Sequence, residues 1–469
     1  MTPAERRNHE RSAFALIISM IFVLVFSALA VSMAAISGVN SQIASNQQKA
    51  DSARACAESG YEVLRYWLSR VSFSGTTPTA EMFNEVETYL SNDLAANGIT
   101  NIAAYPVRSA LYIPPVTLDS TNGKSFWALI SQLDADTLQL HITGTCGQFT
   151  RTIRVDYDYG QRANSVFDFG VATKGPLSLS GNIELDGVNV SIESSVYIES
   201  ENSALALSII GNSQIAGDVS IANPIATVDL QGGQAGIGGE TGDEAIENHV
   251  DFGVAPSEFP EPYPAYFEPF LINIVDSNTD TSSDIVLENV RILADTDPTF
   301  SGHATLRGVI FVETPNVVTF TGTADVIGII VGDGDVEDDS ATNQIEFRGN
   351  VSSRSVSELP DEPQFADLRD ETGTFAMAPG FHLSFGGSFD TINGAIAGNG
   401  IEFFGNAGGI INGSIINYAD EEMTLSGNSD LYFNRSGTTE VPAGFVPQII
   451  LAYNPASYSE MSRFDYSVE

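Results

Sequence analysis

The sequence predicts a multidomain chain. A long N-terminal α-helix, transmembrane and then amphipathic, packs on a small α+β domain, and a large, mostly β solenoid of short strands follows. Three observations predict this. Residues 13–36 carry no charge over 24 positions. Apolar residues then continue at helical spacing as far as Val71. From about Phe167, short apolar strands alternate with glycine at a period near twenty. At 469 residues the chain has room for several domains. The expected borders are a cytoplasmic leader at 1–13, a transmembrane helix at 14–36, an α+β domain at 37–162, a repeat region at 163–440 and a C-terminal segment at 441–469. Insertions are expected at 240–284 and 355–377.

The apolar run AFALIISMIFVLVFSALAVSMAAI would be about 36 Å long as a helix, enough for a hydrocarbon core of about 30 Å. Arg6, Arg7 and Arg11 precede it, and the next basic residue is Lys49. That asymmetry places the N-terminus in the cytoplasm, with the body on the periplasmic side of an inner membrane. A cleaved secretory signal is the competing reading, but its apolar core is usually shorter. Val39, Ile43, Ala50, Ala53, Ala57, Leu64, Leu68 and Val71 then form one helical stripe with no proline inside it.

The segment Arg11-Ser12-Ala13-Phe14-Ala15-Leu16-Ile17 resembles the start of a type IV prepilin. Ala55-Cys56-Ala57-Glu58-Ser59-Gly60 is similar to the Ala-rich stretch of PilX-type minor pilins. The resemblance covers residues 6–71. It implies cleavage between Ala13 and Phe14 by a prepilin peptidase, and assembly with other pilin-like subunits. Ala13 stands where the family usually has Gly, and Ile18 where major pilins have Glu. A carboxylate inside lipid is costly unless paired. Ile18 removes both that cost and the pairing, which fits a tip subunit, an initiating subunit or an uncleaved anchor.

Thr77-Pro78 reads as the start of a second helix, with Met82, Phe83, Val86, Leu90 and Leu94 on one face and Gly98 at its stop. Strands are expected at 107–113, 126–130, 138–142 and 149–159; Leu138, Leu140 and Ile142 alternate with polar neighbours, as do Ile153, Val155 and Tyr157. Helix on antiparallel sheet is an α+β arrangement, and the resemblance implies the same. Cys56 and Cys146 fall in this region. Outside the cytoplasm a disulfide between them is permitted; two buried free thiols are the other reading.

The repeat reads apolar–x–Gly. It begins at Leu179-x-Gly181, Ile209-x-Gly211, Phe300-x-Gly302, Phe320-x-Gly322, Phe347-x-Gly349, Phe385-x-Gly387, Phe403-x-Gly405 and Leu425-x-Gly427. The apolar residue two positions before each glycine is expected to stack inside, and Asn182, Asn212, Asn350, Asn406 and Asn428 to take the left-handed corner conformation. The region is similar to parallel β-helix proteins; an antiparallel β-sandwich is the alternative. The proline-rich stretch at 259–270 is expected to wrap over the strands with its aromatics packed down, or to bind a partner as an extended segment. Residues 355–377 read as an acidic surface loop.

Composition narrows the function. With 20 Lys+Arg against 60 Asp+Glu the net charge is −40, which argues against nucleic acid as a partner. No Lys or Arg occurs between Gly175 and Val290. Asp333, Asp335, Asp338 and Asp339 cluster in VGDGDVEDDS and are calcium candidates, but lack the EF-hand order of ligands; a solvated loop is the alternative. No cofactor other than calcium is indicated, and no nucleophile, zinc or phosphate-loop motif occurs. The reading is a non-enzymatic, membrane-anchored, minor pilin-like protein of a type IV pilus or type II secretion-like pseudopilus. Its partners would be membrane lipid, pilin-like subunits, and an extracellular surface or polysaccharide, and it would sit in the inner membrane or in an extracellular pilus. The alternative is an anchored carbohydrate-active enzyme, a lyase or hydrolase.

Overall fold

The computed structural model describes residues 3–99, 103–105, 110–336, 338, 341–435 and 441–461, with side chains from residue 14 on outside 103–105. The chain divides into two compact units: residues 1–73, 77–160 and 449–469, and residues 74–76 and 161–448.

In the first unit one helix, α1 (Pro3–Leu68), runs unbroken through Gly38 and Gly60. Its apolar stripe was expected to pack from Val39 onward. Val39 and Ile43 are instead 54% and 60% exposed, and burial begins at Ala50. Ala57, Leu64 and Leu68 then join Leu140, Ile142, Ile153 and Val155 of a seven-stranded sheet in one core. Helix α2 (Thr79–Ala96) adds Phe83, Val86, Leu90 and Leu94 and begins one residue later than expected, with Pro78 at its cap.

The sheet holds β1 (Ser72–Ser74), β2 (Ala103–Tyr105), β3 (Ala110–Asp119), β4 (Lys124–Gln132), β5 (Thr137–Cys146) and β6 (Phe149–Arg162). The ladders from β2 to β6 are antiparallel. The strand expected at 107–113 begins at Ala110, and its first positions lie outside the described residues. The segment 441–469 is more than a tail, because its strand Gln448–Met461 lies between β1 and β6 in this sheet. The second unit is therefore an insertion between two neighbouring strands of the first.

The second unit is mostly β and is built from three sheets of twelve, nine and seven strands. The chain visits them in rotation. Val171–Thr173, Leu177–Gly181 and Glu184–Gly187 form one round. Val196–Ile198, Leu205–Gly211 and Gln214–Ile215 form the next. Equivalent strands pair in parallel from round to round. Parallel ladders rule out the antiparallel sandwich, whose strands would return through hairpins.

The rounds are not stacked in chain order. The last one, Ile415–Asn417, Met423–Gly427 and Leu431–Phe433, pairs with the first. The chain thus enters in the middle of the stack, builds to one end, crosses over, and builds back from the other end. Entry and exit consequently lie side by side, with Arg162 Nη2 donating to Gln448 Oε1 at 3.4 Å.

The residues before the repeat glycines do point inward. Phe300, Phe320, Phe347, Phe385 and Phe403 stack with centroid separations of 4.9, 5.1, 5.1 and 4.9 Å. Leu425, Leu179 and Ile209 continue the column. The left-handed corner belongs to glycine and not to the asparagine after it. Gly181, Gly211, Gly405 and Gly427 have φ of 124°, 87°, 73° and 89°, whereas no asparagine that follows them is in that region. A Cβ on Gly427 would also lie 2.4 Å from the Gly405 carbonyl oxygen.

The two expected insertions behave differently from expectation. Within 240–284, Val250–Phe252 and Asn273–Val275 are members of the twelve-stranded sheet, and a short helix, α3 (Asp243–His249), precedes the first of them. In the proline-rich part Phe267 is fully buried, and Phe259 lies between Tyr197 and Tyr418, while Tyr263 is exposed. Residues 355–377 are no simple surface loop. Val356, Leu359, Phe365 and Leu368 are buried in a core with Phe311 and Ile329, because three short 3₁₀ turns aim them inward and leave the acids outside. The segment then enters the strand Thr374–Ala378.

Candidate functional site

Among the described residues, the longest run of exposed apolar side chains is the N-terminal part of α1. From Phe14 to Gln48 no residue is charged, and every described side chain to Lys49 is exposed. Phe14 is 67% exposed and Ile18 38%. The side chain of Ala13, on the other side of the suspected cut, lies outside the described residues. By length and composition this helix is able to cross a membrane. At the far end of α1, Arg54 reaches Glu58 at 3.0 Å and Glu460 of the C-terminal strand at 2.8 Å.

The helix meets the sheet at its closest where residues are smallest. Ala53 and Ala57 are fully buried, and a Cβ added to Gly144 of β5 would lie 2.1 Å from the Ala53 carbonyl oxygen. Cys56 and Cys146 flank this contact. Cys146 is two residues beyond Gly144, hence on the same face of β5. Both are buried free thiols. Burial, reinforced by the nearby Cys146, pushes the Cys56 thiol up from its ordinary value.

His141 alternates to the opposite face of β5 and is also buried. Burial, followed by the nearby Arg154 guanidinium, lowers its pKa from 6.5 to about 4. The native ring is therefore neutral where the unfolded ring protonates. Its contribution to stability is present above pH 6.5 and is lost as pH falls from 6.5 toward about 4. Denaturant titrations at pH 7 and pH 5 should show the first unit weakening on acidification. His141→Phe should flatten that interval, which lies above most carboxylate titrations; an unchanged slope would exclude His141 as the cause.

Two of the described carboxylates of the acidic loop bond its own backbone. Asp333 Oδ1 accepts from the Gly334 N–H at 2.7 Å, and Asp338 Oδ2 from the Asp335 N–H at 2.8 Å. These bonds close a turn. Asp339 lies outside the described residues. Among the described residues no three His, Cys, Asp or Glu side chains are grouped as metal ligands.

No family model and no curated protein matches the chain. Among solved structures it is similar to the competence-associated pilin ComZ from Thermus thermophilus, at 11% identity over 88% of this chain and 97% of that one, with a TM-score of 0.22. An overlap of that size leaves the functional reading to this chain's own geometry.

One feature escaped the sequence reading. Gly181-Asn182-Ile183-Glu184, Gly211-Asn212-Ser213-Gln214 and Gly427-Asn428-Ser429-Asp430 share the pattern Gly-Asn-x-acid or amide. The pattern is legible in the sequence, where an asparagine after glycine also fits the turn itself. Their backbone N–H groups do serve the turn, donating to the carbonyls of Gly427, Gly181 and Gly405 in that order. Any residue but proline supplies that bond, so the choice of an amide side chain needs another reason.

Proposed function

We propose that the chain is a membrane-anchored, pilin-like subunit that contributes to a type IV pilus or a type II secretion-like pseudopilus. Its parallel sheets form a β-helix displayed outside the cytoplasm. The observation that carries the reading is the uncovered length of α1. Phe14–Gln48 spans 35 uncharged residues, about 52 Å of helix, against a hydrocarbon core of about 30 Å. About 20 Å of uncharged helix, including exposed Val39 and Ile43, thus extends past the lipid without being covered by its own unit. Side-by-side packing against helices of other subunits covers such a surface. Ser37, Gly38, Ser41, Ala44 and Ser45 in the same stretch are small enough for close approach.

Arg6, Arg7 and Arg11 support a cytoplasmic N-terminus and a periplasmic body. The resemblance at Ala13 and Phe14 supports processing by a prepilin peptidase, and Ile18 supports a minor or terminal position. The reading assigns the body contact with an external surface and assigns it no reaction and no cofactor.

Deleting the residues before Val39 should move the protein from the membrane fraction to the soluble fraction. Continued membrane association would exclude a single helical anchor. Mass spectrometry of protein from a producing cell should find the mature N-terminus at Phe14; an intact Met1 would leave an unprocessed anchor.

A further inference from the structure

The Gly-Asn-x-acid or amide pattern becomes a surface in the folded chain. Register places Gly427 beside Gly181 and Gly181 beside Gly211, so Asn428, Asn182 and Asn212 follow one another in a column. Asn406 extends it, accepting from Asn428 Nδ2 at 3.4 Å. Gln214 is in register with Glu184, and Leu431 with Leu185, which sets Asp430, Glu184 and Gln214 in a second column two residues on. A cavity of about 360 Å³ lies here, lined by Asn182, Glu184, Asn212, Gln214, Gln234 and Asp430 over the buried Ile183.

The chemistry of this groove is selective. The carboxylates are held in place: Asp430 Oδ1 accepts from the Glu184 N–H at 3.0 Å, and Glu184 Oε2 from the Tyr432 hydroxyl at 3.2 Å. The side-chain amides of Asn182 and Asn212 are exposed and make no hydrogen bond among the described residues. Each amide offers two donors and one acceptor oxygen. Carboxylates nearby, and the absence of Lys and Arg from Gly175 to Val290, disfavour an anionic polymer. With Ile183 buried, the groove has little apolar surface for an aromatic or aliphatic anchor of a protein partner. A molecule rich in hydroxyl groups, each able to donate and accept, satisfies amides and carboxylates together.

The repetition adds a length. Neighbouring strands are about 4.8 Å apart, close to the rise of one sugar ring along an extended glycan. Three rungs with equivalent chemistry at that interval form a template for a ligand that repeats at the same interval.

We propose that this groove binds a neutral polysaccharide running across the strands, one sugar per rung, with Asn182 and Asn212 as its principal hydrogen-bonding residues and Asn428 continuing their column at its edge. The proposal rests on the reading that this unit faces a surface outside the cell. It is tested with the full chain in detergent micelles and immobilised cellohexaose, chitohexaose, mannan and dextran, with polygalacturonate as the anionic comparison. Retention is expected on at least one neutral glycan. The variant N182A/N212A/N428A should weaken it by about tenfold or more, since three hydrogen bonds are lost. If that variant fails to fold, Glu184→Ala and Gln214→Ala singly should each weaken binding with the asparagine column intact. Retention on none of the neutral glycans, retention on polygalacturonate alone, or binding undiminished in the folded variants would overturn the proposal. Membrane fractionation of the Val39 truncation is independent of these results, so loss of glycan binding leaves the anchor reading standing, and failure of the anchor does not alter the binding measurement.

Discussion

Replacing Phe347 by alanine should destabilise the second unit by about 3–5 kcal/mol, the range for removing a buried aromatic from a close-packed core. Phe347 is 1% exposed and occupies the middle of the phenylalanine column. Its ring lies 5.1 Å from Phe320 on one side and 5.1 Å from Phe385 on the other, nearly parallel to both, and 6.3 Å from the tilted ring of Phe375. Truncation loses the transfer term and two stacked contacts, and leaves a cavity that no neighbour fills without leaving its own stack. Stacked rounds touch mainly the rounds beside them, so the defect separates the part at Phe300 and Phe320 from the part at Phe385 and Phe403. Denaturant unfolding followed by hydrogen exchange should show reduced protection in both flanking rounds. Leu425→Ala, at an equivalent place in the column, removes a smaller side chain and should cost about 2–5 kcal/mol, toward the lower part of that range. A Phe347→Ala midpoint close to wild type would contradict a continuous stacked core.

The column was legible in the sequence because it is a local pattern: an apolar residue two positions before a glycine, repeated. The order of the rounds was not legible. Leu179, Leu425 and Phe403 fit the same column, and nothing local to them says which is neighbour to which. The pairing of Leu425 with Leu179, with its companion ladders in the other two sheets, shows that the last round closes on the first. The acids of residues 355–377 similarly concealed Val356, Leu359, Phe365 and Leu368, whose spacing of 3, 6 and 3 follows neither a helix nor a strand. Three 3₁₀ turns reconcile that spacing with burial. For α1 the period was correct, but period does not say where a partner surface begins. Val39 and Ile43 continue the stripe and remain uncovered because the sheet reaches only to Ala50. An asparagine after a glycine reads from sequence as the left-handed residue of a corner, but at Asn182, Asn212 and Asn428 the glycine before each one supplies that geometry.

Substituting Gly144 should do more damage to the first unit than any other single-methyl addition in it. The added Cβ would lie 2.1 Å from the Ala53 carbonyl oxygen, 2.2 Å from the Ala57 nitrogen and 2.8 Å from the Cys56 carbonyl carbon. All three are backbone atoms of α1, so no rotamer change relieves the clash and the helix itself must move off the sheet. Gly60 provides the internal comparison. A Cβ there would lie 2.6 Å from Cγ and Cδ2 of the buried Phe126 and 2.9 Å from Ile142 Cγ2, side-chain atoms rather than backbone. Overpacking of the ordinary kind costs about 1–3 kcal/mol, which is the expectation for Gly60→Ala. Gly144→Ala should exceed it, at about 3 kcal/mol or more, because retreat of α1 also uncovers the buried Ala53 and takes Ala57 and Leu64 from the core they share with Ile142 and Leu140. The same retreat pulls Cys56 away from Cys146, so the buried thiols of Gly144→Ala should react faster with a maleimide than those of wild type under native conditions. Equal stability of the two glycine variants, together with equal thiol reactivity, would mean that α1 is not seated on β5 at Gly144.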